Sequence, residues 1–86
     1  MVYMSKISEK KKDKIKGEIL GVLYEHFPKM IFTNKIADEI ARNNEFVLKL
    51  LNEMEELKWI KKNKRIARTS WGLTLEIYNQ YEKMAN

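Results

Sequence analysis

Eighty-six residues, with seventeen Lys and Arg against twelve Asp and Glu and a formal charge of +5, describe one small domain with an economical core, whose charge is compatible with nucleic acid or an anionic surface and equally with a soluble domain kept monodisperse by it. The absence of cysteine excludes a disulfide framework and a thiolate metal site, and makes a cytoplasmic location the expectation. No apolar run approaches the roughly 20 residues that cross a bilayer, and the lysine-rich beginning is not followed by a signal-peptide core, so no membrane partner is expected.

Met1 to Ile7 show no sustained period and are expected to be flexible, the chain otherwise reading as a single domain over residues 1–86. A helix starting near Ser8 opens with Lys10, Lys11, Lys12, Lys14 and Lys16, broken by Asp13. Lysines at a helix N-terminus oppose its dipole by about 0.3–1 kcal/mol each where exposed. Helix stability therefore does not account for them; phosphate contact and plain solvation both would. Ile15, Ile19, Leu20, Val22, Leu23 and Phe27 supply an apolar face. Gly21 costs about 1 kcal/mol relative to Ala inside a helix and reads as a mark of close contact with a neighbouring helix. Pro28 ends the segment by removing a donor.

In the next segment Ile36, Ala37, Ile40 and Ala41 share one helical face, with Thr33 at the N-cap. Asn43 and Asn44 interrupt the pattern, and either can cap the following helix. That helix carries Val47, Leu51, Met54 and Leu57 at intervals of four, three and three. A joint this short makes the two helices cross. Trp59 and Ile60 begin an extended segment, Lys61 to Arg65 holds a polar tip around Asn63-Lys64, and Ile66 to Ser70 returns alongside. Two strands alone are marginal in water, so Trp59, Ile60, Ile66 and Trp71 are expected to pack them on the helices. Leu73 to Met84 reads as a last helix, capped by Thr74 with Glu76 in its first turn, and Ile77, Tyr78, Tyr81 and Met84 form its apolar and aromatic stripe.

Catalytic chemistry finds little support. The sole histidine, His26, stands near a helix end, where it is ordinary helix chemistry. Glu53, Glu55 and Glu56 cluster without a spacing that pairs them as acid and base, and no glycine-rich phosphate loop occurs. The expectation is a non-enzyme without metal or cofactor. Charge is segregated, however. Between Lys58 and Thr74 lie six basic residues, Lys58, Lys61, Lys62, Lys64, Arg65 and Arg68, and no acidic one. Such a segment suits a phosphate backbone or a narrowed minor groove, the alternative being a solvated hairpin.

The stretch IADEIARNNEFVLKLLNEMEELKWIKKNKR resembles a winged helix-turn-helix domain, and the resemblance extends over roughly Ile15 to Met84. The fragment GLTLEIYNQYEKM is similar to the strand exit and C-terminal helix of small archaeal and bacterial winged-helix regulators with a Leu-Thr pair at that join; many of these carry glycine where this chain has Ile77. The resemblance implies an α+β fold: a three-helix core, a two-stranded hairpin wing and a C-terminal helix, with a short extended piece at Met30 to Phe32. It also implies a DNA-binding transcriptional regulator whose partner is double-stranded DNA.

The second helix of the motif would enter the major groove, making Asn44, Glu45, Leu48, Lys49 and Asn52 the outward candidates. Lys49 suits a guanine edge or a phosphate, Asn52 an adenine or the backbone, and Glu45 a cytosine amine. Lys61, Lys62, Lys64, Arg65 and Arg68 would be the DNA-binding wing residues. Leu48 and Leu50 stand where these regulators commonly have Ser, Arg or His, and Arg42 replaces an apolar turn residue. Two exposed leucines would meet thymine methyls, cover Trp59 or fill a protein interface. Val22, Tyr24, Ile77, Tyr78, Tyr81 and Met84 are the candidates for a homodimer contact, the alternative being closure of one small core. A protein-interaction or assembly module and a non-specific DNA-binding accessory protein are the competing functions, and no small-molecule effector is indicated.

Overall fold

Three isoleucine and leucine positions one helical turn apart, Ile15, Ile19 and Leu23, seat the first helix, α1 (Glu9–His26), on the core. The computed structural model describes residues 9–65 and 68–85. After α1 come β1 (Ile31–Phe32), α2 (Thr33–Ile40), α3 (Asn44–Glu56), β2 (Ile60–Lys64), β3 (Thr69–Leu73) and α4 (Leu75–Ala85). The architecture is α+β, with helices packed on one face of an antiparallel sheet ordered β1-β3-β2. Among the described residues no helix is long and apolar enough to cross a membrane. The expected flexibility of Met1 to Ile7, the start near Ser8 and the packing role of Ile66 lie outside the described residues.

The hairpin has a third strand that the sequence suggested only as a short extended piece. Ile31 pairs with Trp71 and Phe32 with Ser70, so β3 is the central strand. Its core-facing residues Trp71 and Leu73 are fully buried beside Ile60 and Ile31. On its other face, a Cβ at Gly72 would stand 3.2 Å from Met30 Cγ, so the glycine admits Met30 over the strand. The tip lies further along than expected. Asn63 and Lys64 pair with Ser70 and Thr69, and Arg65 N–H donates to the Arg68 carbonyl at 2.7 Å. The pairing of Ile60 with Leu73 and Lys62 with Trp71 sets this register, because a one-residue slip would turn Trp71 and Leu73 away from the core.

The α2–α3 core contains Ile36, Ala37, Val47, Leu50, Leu51 and Met54, none more than 4% exposed. Leu50 corrects the expectation of a second exposed leucine: it is fully buried, whereas Leu57, assigned to the buried stripe, is 50% exposed. The helix stops at Glu56, and Lys58 at φ 68° turns the chain while Trp59 N–H donates to the Met54 carbonyl, so Leu57 falls beyond the buried face. Ala41 ends α2 the same way at φ 57°, with Arg42 N–H on the Ala37 carbonyl.

Thr33 makes no cap hydrogen bond. Phe32 occupies the N-cap position, and the Thr33 hydroxyl accepts from Trp71 Nε1 at 2.8 Å, giving the buried indole its partner. Gly21 meets no close neighbour, contrary to the expected helix contact. Thr74 does cap α4, accepting from Ile77 N–H at 3.4 Å while its hydroxyl donates to the Trp59 carbonyl at 3.2 Å. Leu73 belongs to β3 and not to that helix. Within the lysine run, Lys16 is nearly buried and its Nζ lies 3.1 Å from Glu53 Oε1.

Tyr24 of α1 and Phe27 just beyond it pack against the tyrosines of α4 within the chain. Ring centroids are 3.9 Å apart for Phe27–Tyr78, 5.5 Å for Tyr24–Tyr78 and 5.2 Å for Tyr24–Tyr81. The Tyr24 hydroxyl donates to Glu82, and that bond, followed by loss of solvation, holds Tyr24 above the ordinary phenol range. Loss of solvation raises Tyr78 and Tyr81 as well. Val22, Tyr24, Ile77, Tyr78 and Tyr81 are half-buried, and of the six dimer candidates only Met84 is strongly exposed, at 79%.

Candidate nucleic-acid interface

The outward face of α3 follows from its inward one. With Val47, Leu50, Leu51 and Met54 buried, the 3.6-residue period leaves Asn44, Glu45, Leu48, Lys49 and Asn52 on the opposite side, and all five are exposed. Asn43 fixes where this face begins. Its side-chain oxygen accepts from Glu45 N–H at 2.8 Å and Phe46 N–H at 3.1 Å, which settles which of the two asparagines caps the helix.

The first turn of α3 shares a groove with the tip end of the hairpin. Phe32, Thr33, Asn34, Asn44, Glu45, Leu48, Arg68 and Thr69 line an open hollow of about 370 Å³. The Arg68 guanidinium lies 4.9 Å from the Phe32 ring centroid, a cation–π contact that holds the charge at the groove edge. Three expected site residues of α3 therefore meet one expected hairpin cation here. Lys49 and Asn52 are exposed further along the helix and are not in this groove.

The hairpin cations divide between two faces. Lys64, Arg65 and Arg68 converge with Met30, Phe32, Asn63 and Ser70 around a second open hollow of about 840 Å³. Lys62 Nζ instead lies 5.7 Å from the Trp71 ring centroid, and Lys61 extends along the face that carries Gly72. All five are exposed. Phe32, Thr33, Asn34 and Thr69 were absent from the sequence-based candidates. The signal for Thr33 and Asn34 was available, since the first helix of a helix-turn-helix crosses the backbone; Phe32 and Thr69 arrive only through strand pairing. His26 Nε2 lies 3.3 Å from Glu39 Oε2, an ordinary surface pairing between α1 and α2. Among the described residues no group of three or more His, Asp or Glu could hold a metal ion.

This arrangement has solved counterparts. A variant of MepR from a multidrug-resistant Staphylococcus aureus clinical isolate superposes with a TM-score of 0.73 and 27% identity, over 88% of this chain and 58% of that one. An S. aureus MepR–DNA complex gives 0.72 and 27% over 88% of this chain and 72% of that one. A Lactococcus lactis ZitR mutant gives 0.64 and 20% over 99% and 55%. This chain is a winged helix-turn-helix domain. In it α2 and α3 form the helix-turn-helix, and β2 and β3 the wing. MepR is a transcription regulator of the S. aureus multidrug efflux pump MepA. The winged helix described here spans 58% of the length of the MepR variant and 55% of ZitR. No protein-family model and no curated protein sequence matches it.

Proposed function

We propose that this winged helix is a DNA-binding transcriptional regulator of the cytoplasm that acts by occupying promoter DNA. In this reading α3 enters the major groove with Asn44, Glu45, Leu48, Lys49 and Asn52, while Lys61, Lys62, Lys64, Arg65 and Arg68 of the wing hold phosphates. The observation that carries it is the shared groove, in which Asn44, Glu45 and Leu48 stand opposite Arg68. One duplex can engage both elements there, phosphate contacts positioning the protein and α3 supplying specificity. Glu45 is suited to a cytosine amine and Leu48 to a thymine methyl, and the carboxylate of Glu45 repels phosphate, which directs α3 toward base edges. The similarity to the S. aureus MepR–DNA complex supports the same partner.

A homodimer through Val22, Tyr24, Ile77, Tyr78, Tyr81 and Met84 would place two copies of α3 on successive half-sites, roughly one helical turn apart. Light scattering tests it. The DNA reading itself is tested by titrating random and selected duplexes at several salt concentrations with the protein and with a Lys62→Gln/Lys64→Gln/Arg65→Gln variant. Affinity should fall steeply with salt, and the variant should weaken binding to all sequences alike. Binding that is absent, or indifferent to salt and wing charge, would favour a protein-interaction module.

A further inference from the structure

The turn that leads into α3 carries a second set of cations, away from the wing. Lys11, Lys14, Ile15 and Glu18 of α1 and Arg42 of the α2–α3 turn line an open cleft of about 220 Å³. Lys11, Lys14 and Arg42 are exposed, and the floor residue Ile15 is 2% exposed. The lining of the cleft carries three cations and one carboxylate, that of Glu18.

Both sides of the cleft are held. Ile15 and Ile19 are core residues, and the Lys16–Glu53 pair ties the same stretch of α1 to α3. Arg42 is fixed by its own N–H on the Ala37 carbonyl and by Asn43, the cap of α3, immediately after it. Asn44, two residues on from Arg42, already lines the groove that faces the wing. Two residues of chain reach at most about 7 Å, whereas the major groove is about 12 Å wide. A helix tip seated in that groove has a phosphate backbone on each side. The wing covers one of them.

We infer that Lys11, Lys14 and Arg42 form a second phosphate-binding patch, which grips the DNA strand across the major groove from the strand held by the wing. This rests on the reading of α3 as the groove-bound helix and extends its footprint on the far side. The patch adds affinity, not base discrimination, because lysine and arginine on phosphate carry no sequence information.

The test compares the protein with Lys11→Gln/Lys14→Gln, Arg42→Gln, the triple variant and the wing variant, in duplex titrations from 50 to 200 mM salt, with folding checked by circular dichroism. Each cation removed from the patch should lower the slope of log affinity against log salt by about 0.9. Random and selected duplexes should lose affinity alike, and hydroxyl-radical protection should disappear from one flank of the footprint only. Arg42→Lys should retain the slope. The double lysine variant, with both changes on the exposed face of α1, carries the test if Arg42→Gln fails to fold. An unchanged slope and footprint in a folded patch variant, with the wing variant weakened, overturns the patch and leaves the wing reading standing. Failure of the unaltered protein to bind any duplex overturns both.

Discussion

Replacing Thr33 by valine would remove an oxygen and keep the shape, and the consequence can be worked from one contact. Thr33 Oγ1 lies 2.8 Å from Nε1 of Trp71, whose side chain is fully buried in the central strand. The variant leaves the indole N–H without an acceptor, which costs about 1–3 kcal/mol. For a domain of this size each 1 kcal/mol lowers Tm by about 4–8 °C, so a fall of roughly 4–24 °C is expected in calorimetry or circular dichroism melts. A double-mutant cycle with Trp71→Phe isolates the bond. Once the donor is gone, Thr33→Val should cost less than about 0.5 kcal/mol, the usual size of a change that breaks no named interaction. If Thr33→Val destabilises both backgrounds equally, the hydroxyl is not serving the indole and the account of the α2–β3 junction is wrong. Thr33→Ser, which keeps the acceptor, should stay close to the starting stability.

The two leucines of α3 should behave oppositely. Leu50→Ala should cost about 2–5 kcal/mol in denaturant unfolding, and Leu48→Ala, at 40% exposure, should change stability by under about 0.5 kcal/mol while altering preference among duplexes. Ala41→Gly should stabilise the fold by roughly 0.5–1 kcal/mol, because φ 57° costs a non-glycine residue about 1–2 kcal/mol and the extra freedom of glycine in the unfolded chain returns only part of that; a lowered Tm would refute it. The alkaline limb of stability should steepen with the tyrosines. Their folded values are raised above 10.0, so the folded state holds these protons more tightly, and the contribution is complete below pH 10 and lost as pH rises through the folded values. Tyr24→Phe should flatten thermal melts collected from pH 9 to 11.5, and an unaltered slope would contradict the link to Glu82.

The helices were readable because burial repeats with their period, and the failures have local causes. Leu57 continues the spacing of Val47, Leu51 and Met54, but a pattern cannot show that Lys58 adopts a left-handed turn and ends the helix first. Leu50, beside Leu51, belongs to an apolar face wider than the narrow seam expected of it. The tip was misplaced because four consecutive exposed residues, Lys61 to Lys64, look like a turn; they are an edge strand that extends past the core, polar on both faces. Thr33 has the right residue type for a cap, and the competing partner was 38 positions away. The same distinction divides the interface. The five outward residues of α3 are the complement of its buried stripe, so periodicity alone supplies them. Phe32 and Thr69 reach the groove through pairing across β1, β3 and β2, which no local pattern encodes.

Thr74 joins two directions of the chain at one atom. Its hydroxyl bonds the backbone at the foot of β2 and receives the first turn of α4, with no intervening residue between β3 and that helix but Thr74 itself. The end of the wing and the start of the C-terminal helix are therefore fastened at the same point. Removing that one hydroxyl would undo the anchorage of both at once.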